Sequence, residues 1–190
     1  MNEQTPGARG RFLFIQALTL ARIPLALLFA ALLYFDHTSP WAIVAGTFLL
    51  TCMEVSDILD GLLARRLGIV SELGATLDPY ADSISRLTVY WALASAGLTL
   101  AVAAWCMVFR DITVAYCRVV WARQGRSGSA RFSGKVKAVV QGTGAFFLLL
   151  SPTLFPQSSP WLVPAVTWTV VLVTLASLAE YVGGTIRTGR

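Results

Sequence analysis

The chain has 190 residues, of which 56% are apolar and 13% charged, with a formal net charge of +5. Soluble domains carry roughly 25% charged residues, so this chain has too little polar surface to cover a water-exposed core. Six spans of about 20 residues take roughly 120 residues, which leaves enough for turns and termini and excludes a large extramembrane domain.

In chain order, residues 1–11 read as a polar cytoplasmic arm; Met1 to Gly10 lacks the apolar core and cleavage pattern of a signal peptide. Apolar helical segments follow at 12–35, 41–64, 73–98, 101–122, 133–154 and 161–186. Residues 187–190 remain as a short cytoplasmic tail. The predicted fold is an all-α integral membrane domain over 12–186, six transmembrane helices in one bundle. The turn at 96–100 is the one that no charge or proline marks.

Arg9, Arg11, Arg65, Arg66, Arg123, Arg126, Arg131, Lys135, Lys137, Arg187 and Arg190 fall at termini or turns of one parity, and the other turns hold no lysine or arginine. Positive residues stay on the cytoplasmic side, so both termini are expected there, at a rim attracted to lipid headgroups. No basic patch with interleaved aromatics is present, so a nucleic-acid partner is not expected. Several of Trp41, Trp91, Trp105, Trp121, Trp161 and Trp168 lie near span ends and read as interfacial anchors. Cys52, Cys106 and Cys117 sit in apolar stretches without CxxC spacing, and the lone histidine, His37, lies in a polar break. A histidine-based metal site or triad is therefore excluded.

The acids are clustered. Each ionisable group at membrane depth costs about 2.5 to 3.5 kcal/mol on insertion scales and calls for a reason. Asp57 and Asp60 lie three apart near the end of the second segment, and Asp78 and Asp82 four apart at the start of the third. Both spacings put a pair on one helix face. Consecutive antiparallel helices then bring the pairs opposite each other, with Asp57 about 12 Å inside Arg65. Four carboxylates that close repel one another unless hard cations lie between them, and oxygen-only ligands select Mg²⁺, Mn²⁺ or Ca²⁺. Two divalent ions held by Asp57, Asp60, Asp78 and Asp82 are the economical solution, suited to displacement at phosphorus.

Gly61 and Gly74, with Ala64, thin the helix faces beside the acids. Two readings stand: close helix packing by small residues, or a slot for a flat nucleobase. Arg65 either reaches a diphosphate on the metals or snorkels to the interface. Ser71 is either a further diphosphate donor or a loop serine.

Read as one string, DILDGLLARRLGIVSELGATLDPYAD resembles the signature of the CDP-alcohol phosphotransferase family at every signature position. The resemblance implies transfer of a substituted phosphoryl group from a CDP-linked donor to an alcohol with release of CMP, six spans, and a homodimer. It implies that Asp57, Asp60 and Asp78 bind metal and that Asp82 both binds metal and accepts the proton of the attacking hydroxyl. Gly61, Ala64, Arg65, Ser71 and Gly74 are the candidate contacts to the CDP-linked donor.

Arg110 and Arg118, eight apart in the fourth segment, share a face, with Lys135 and Lys137 opening the fifth. Several cations beside a metal site suit an anionic acceptor, most simply a phosphomonoester. RDITVAYCR, followed by GKVK and Gln141, resembles the corresponding stretch of bacterial phosphatidylglycerophosphate synthases. That similarity implies CDP-diacylglycerol as donor and glycerol 3-phosphate as acceptor, in the bacterial inner membrane with the active site facing the cytoplasm. Inositol 1-phosphate is the alternative acceptor. The opening QALTLARIP, with Thr19, Arg22 and Pro24, resembles the N-x-x-T-x-x-R of those synthases, with Gln16 in place of the asparagine; Thr19 is assigned to the donor. Glu54, Arg86 and Asp111 are candidate supporting charges. A UbiA-type prenyltransferase would carry different aspartate-rich motifs, and a cation transporter would not need the Gly61, Ala64, Arg65 and Gly74 spacing.

Overall fold

Six helices account for almost all of the residues that the computed structural model describes, 6–67, 72–125 and 132–188. They are α1 (Pro6–Phe35), α2 (Pro40–Arg66), α3 (Glu72–Ser95), α4 (Ala101–Arg123), α5 (Phe132–Leu154) and α6 (Ser159–Thr188), and there is no strand among the described residues. The expected segments coincide with these helices to within a few residues. The exception is the N-terminal arm: α1 begins at Pro6, so residues 6–11 are helical. Proline suits the first helical position, where its missing N–H has no partner to lose.

Three of the turns have a local cause in the sequence. Between α1 and α2, the Asp36 carboxylate accepts from the Thr38 and Ser39 N–H groups at 3.1 and 3.0 Å. Bonds from the Ser39 hydroxyl and from those two N–H groups hold the Asp36 carboxyl below its ordinary value. Ser39 then caps α2, its Oγ accepting from Ala42 N–H at 3.1 Å with Pro40 at the first helical position. His37 is exposed in this loop, as expected. The unmarked turn after α3 is closed by Gly97 at φ 73°. Leu98 N–H bonds Leu93 C=O at 2.8 Å and Gly97 N–H bonds Ala94 C=O at 3.1 Å, the paired closure that a left-handed glycine permits. Gly125, at φ 69°, follows α4 in the same way.

Among the described residues, three helices, α1, α2 and α6, contain stretches long and apolar enough to cross a membrane: Gly10–Phe35, Pro40–Leu63 and Ser159–Ile186. With 34 large apolar side chains exposed among the described residues, Trp41, Trp105 and Trp161 among them, the outer surface suits lipid and not water. The protein is an all-helical membrane protein.

The chain divides into two compact units, Met1–Val89 and Tyr90–Arg190. In the first, α1 packs on α2, burying Ala26, Phe29 and Leu33 of α1 and Ala42, Leu50 and Met53 of α2. In the second, α6 packs on both α4 and α5, and Val114 and Trp121 of α4 form a core with Leu178 and Tyr181 of α6. Trp121 departs from the anchoring role expected of it: it is buried, and its ring stacks on Tyr181 at 5.6 Å. Its helix turns it toward α6 and away from lipid.

Candidate active site

The acid cluster belongs to the first unit. Asp57 and Asp60 stand one turn apart on α2, and Asp78 stands in the second turn of α3. One carboxylate oxygen from each of the three lies within 4.8 Å of the other two. Three negative groups so close, with Asp60 buried, require compensation in a low dielectric. It comes from α1. The Arg22 guanidinium lies among the three, ion-paired to Asp57 Oδ1, to Asp60 Oδ2 at 3.0 Å and to Asp78 Oδ1 at 2.6 Å. Its Nε donates to the Thr19 carbonyl at 3.2 Å. Thr19 lies one turn before Arg22 on α1, and its hydroxyl is 2.8 Å from Asp60 Oδ2 and 3.1 Å from Ile15 C=O. A second inter-helix tie, Ser56 Oγ to Leu18 C=O at 2.9 Å, holds α2 against α1 at this level.

Asp82 faces a different cation. Arg86, one turn along α3, donates through Nε to Asp82 Oδ1 at 2.5 Å and through Nη1 to Glu54 Oε1 at 3.1 Å. Glu54 is one turn before Asp57. The four aspartates are thus gathered on α2 and α3 as their spacing predicts, three in one oxygen cluster and the fourth beside it on its own arginine. The all-oxygen donor set of Asp57, Asp60 and Asp78 fits a hard divalent cation, and a guanidinium already held there shows that the position favours positive charge. Beside the acids, no described residue lies within 4 Å of where a Cβ on Gly61 would stand, so among the described residues that face of α2 is open. The side chains of Ala64 and Arg65, and the whole of Ser71, fall outside the described residues; Gly74 is half-buried in the first turn of α3.

The second polar cluster belongs to the second unit. Arg110 is buried, with Nη1 on Asp111 Oδ1 at 2.7 Å and Nη2 on Ser177 Oγ at 3.0 Å. Its guanidinium carbon lies 5.4 Å from the centre of the Tyr181 ring, a cation–π contact whose ring is backed by Trp121. Lys137 is buried as well and donates to Asp111 Oδ1 at 2.9 Å. It is therefore no member of the solvated rim, whereas Lys135 is exposed. Gly134 brings the start of α5 close, since a Cβ there would stand 3.8 Å from Arg110 Nη2. Arg118 is half-buried two turns further along α4. Among the described residues, Arg110 Nε, Arg118 Nε and Ser133 Oγ are buried without a hydrogen-bond partner. Gln141 Nε2 donates to Thr174 Oγ1 at 2.9 Å, and the Tyr90 hydroxyl donates to Gln141 C=O at 2.8 Å.

Sequence reasoning missed the part played by Arg22 and did not find Tyr181 or Ser177. Arg22 was visible as the one arginine inside the first apolar segment, a position that calls for a counter-charge. Tyr181 and Ser177 carry no such mark, since their role arises only where α6 meets α4.

Residues 13–178 match the family described as CDP-alcohol phosphatidyltransferase. The chain is 31% identical over 170 residues to a CDP-diacylglycerol–glycerol-3-phosphate 3-phosphatidyltransferase of Escherichia coli strain K12, covering 86% of this chain and 90% of the relative. An enzyme of the same name from Bacillus subtilis strain 168 is 29% identical over 174 residues, again covering 86% and 90%. A third, from Treponema pallidum strain Nichols, is 27% identical over 150 residues, or 72% and 68%. A family match over most of the chain means that this chain belongs to the CDP-alcohol phosphatidyltransferase family.

Proposed function

We propose that this protein transfers the phosphatidyl group from CDP-diacylglycerol to sn-glycerol 3-phosphate, giving phosphatidylglycerol phosphate and CMP. The observation that carries the reading is the gathering of Asp57, Asp60 and Asp78 into one oxygen cluster in a chain whose relatives carry that name. In this reading Asp57, Asp60, Asp78 and Asp82 hold two divalent cations, Mg²⁺ or Mn²⁺, which when bound neutralise charge on the donor diphosphate and make its phosphorus more electrophilic.

The chain's own residues do the rest. Gly61 leaves room on α2 for the cytosine ring, and Ala64 and Gly74 extend that small-residue face. Thr19, Arg65 and Ser71 are the proposed polar contacts to the donor. A carboxylate oxygen of Asp82 accepts the proton of the acceptor's hydroxyl as its oxygen bonds to phosphorus and the bond from phosphorus to CMP breaks. Arg86, bonded to Asp82 Oδ1, fixes the direction in which that carboxylate points.

For the acceptor, the reading assigns Arg110, Arg118, Lys135 and Lys137 to the phosphate. Buried donor atoms without a protein acceptor, Arg110 Nε, Arg118 Nε and Ser133 Oγ, are costly unless a ligand completes them, and an anion supplies the missing acceptor oxygens. Asp111 holds Arg110 and Lys137 in place. Its single carboxylate leaves the group of cations with an excess of positive charge, which suits a phosphomonoester better than a neutral alcohol.

The proposed setting is the bacterial inner membrane, with six spans, both termini cytoplasmic and the site opening to the cytoplasm, in a homodimer. The experiment is an acceptor panel: purified protein, CDP-diacylglycerol and Mg²⁺ with glycerol 3-phosphate, inositol 1-phosphate, serine or choline in parallel, reading lipid products by mass. Phosphatidylglycerol phosphate with glycerol 3-phosphate alone is the expected result. A product with inositol 1-phosphate in preference, or with uncharged acceptors, overturns the acceptor assignment.

A further inference from the structure

Three carboxylates converge on one guanidinium in the first unit, and that guanidinium is supplied by α1, outside the aspartate string. Arg22 is 2% exposed and bridges Asp57, Asp60 and Asp78 at once. These are the three side chains whose oxygens fit a hard cation; the guanidinium takes one oxygen of each and its charge repels a divalent ion beside it, so the two compete for the cluster. Neither charge state is free to go unpaired. Three carboxylates this close, one of them buried, are costly without a cation, and so is a buried guanidinium without an anion.

We propose that Arg22 is a built-in counter-cation of the acid cluster: it neutralises Asp57, Asp60 and Asp78 while no divalent ion is bound and is exchanged for the ion when one enters, so that it sets the affinity of the site. This rests on the reading that the cluster binds divalent ions. Two features of the surroundings suit an exchange. The Arg22 Nε bond to the Thr19 carbonyl is independent of the carboxylates, so the side chain keeps a tether when its Nη groups let go. The Thr19 hydroxyl beside Asp60 Oδ2 keeps a donor on that carboxylate in either state. Arginine suits the task because its planar fork reaches several carboxylates at once, which a lysine ammonium, one compact point charge, does not do equally well.

The exchange is a competition, and competing ligands are coupled through free energy whether one of them is a side chain or not. Couplings of this kind typically change affinity by roughly 5- to 150-fold. The test uses the full chain in detergent, stripped with chelator and titrated with Mn²⁺ alone, free Mn²⁺ being read by electron paramagnetic resonance, with thermal melting in chelator and in Mg²⁺ alongside. Arg22→Gln is expected to bind Mn²⁺ about tenfold or more tightly than the parent, to melt lower than the parent in chelator, and to gain more than the parent on adding Mg²⁺. Arg22→Lys separates exchange from a general effect of nearby charge. It retains the charge and should still bind Mn²⁺ severalfold more tightly, because it cannot bridge all three carboxylates, and it serves alone if Arg22→Gln does not fold. Weaker binding in either variant would make Arg22 a support of the ligand geometry and overturn the proposal. So would Arg22→Lys at the parent's affinity, or an unchanged affinity in Arg22→Gln. A parent protein that binds no Mn²⁺ overturns the metal reading itself, a result distinct from a parent that binds and variants that bind alike.

Discussion

Asp82 is the aspartate that stands apart from the oxygen trio, bonded to Arg86 instead of Arg22. A carboxylate held by its own arginine is aimed, which is what a proton acceptor needs. Asp82→Asn keeps the size and removes the base, so turnover is expected to fall by about 10² to 10⁴-fold while the KM for CDP-diacylglycerol changes little; steady-state kinetics on the folded variant reads both. The two arginines of α4 separate in a similar way. Arg110 is tied to Asp111, Ser177 and Tyr181, so its removal damages the fold along with the site. Arg118, half-buried with Nε unpartnered among the described residues, is the cleaner probe. Arg118→Ala should raise the KM for glycerol 3-phosphate by about one to two orders of magnitude, the worth of a charge-assisted contact of about 1.5 to 3 kcal/mol, and leave the KM for CDP-diacylglycerol nearly unmoved. A parallel loss of donor affinity would assign Arg118 to the donor.

At the scale of helices, two glycines with the same lack of side chain have opposite reasons for it. On α5, a Cβ at Gly144 would stand 2.8 Å from the Tyr90 hydroxyl and 3.0 Å from a Val170 methyl. Gly144→Ala therefore has to push two neighbours aside and is expected to cost about 1 to 3 kcal/mol of stability, seen as a lower melting temperature in detergent. On α2, the space beside Gly61 is open among the described residues, and alanine is the better helix former by about 1 kcal/mol. Gly61→Ala should melt at or above the parent and still raise the KM for CDP-diacylglycerol severalfold, since a methyl group would stand where the base is proposed to lie. Unchanged donor kinetics in Gly61→Ala would leave that glycine without a part in donor binding. The helices themselves were legible because apolar runs of span length are a local property of sequence. The aspartate pairs were legible because helical spacing alone places Asp57 with Asp60 and Asp78 with Asp82. What joins helices was not: nothing local directs Arg22 of α1 to acids on α2 and α3, or turns Trp121 from lipid to Tyr181. Arg86 beside Asp82 was readable because both lie on one helix, and Lys137 on Asp111 was not because they lie on two.

For the whole molecule, the scarcity of charge that marks it as a membrane protein also organises its chemistry. Its described internal acids are paired: Asp57, Asp60 and Asp78 with Arg22, Asp82 and Glu54 with Arg86, and Asp111 with Arg110 and Lys137. Two polar clusters, one per unit, stand out from helices otherwise clad in apolar side chains, and the family signature accounts for the first of them. If that cluster carries the reaction, catalysis depends on a hard divalent ion in a way that no protein side chain replaces. The decisive measurement is CMP release from CDP-diacylglycerol in the presence of glycerol 3-phosphate by purified protein, before chelation, after exhaustive chelation, and after adding back Mg²⁺ or Mn²⁺. Release that vanishes with the metal and returns with either ion is the expected result; full activity after chelation, with no metal detected in the protein by elemental analysis, would contradict it.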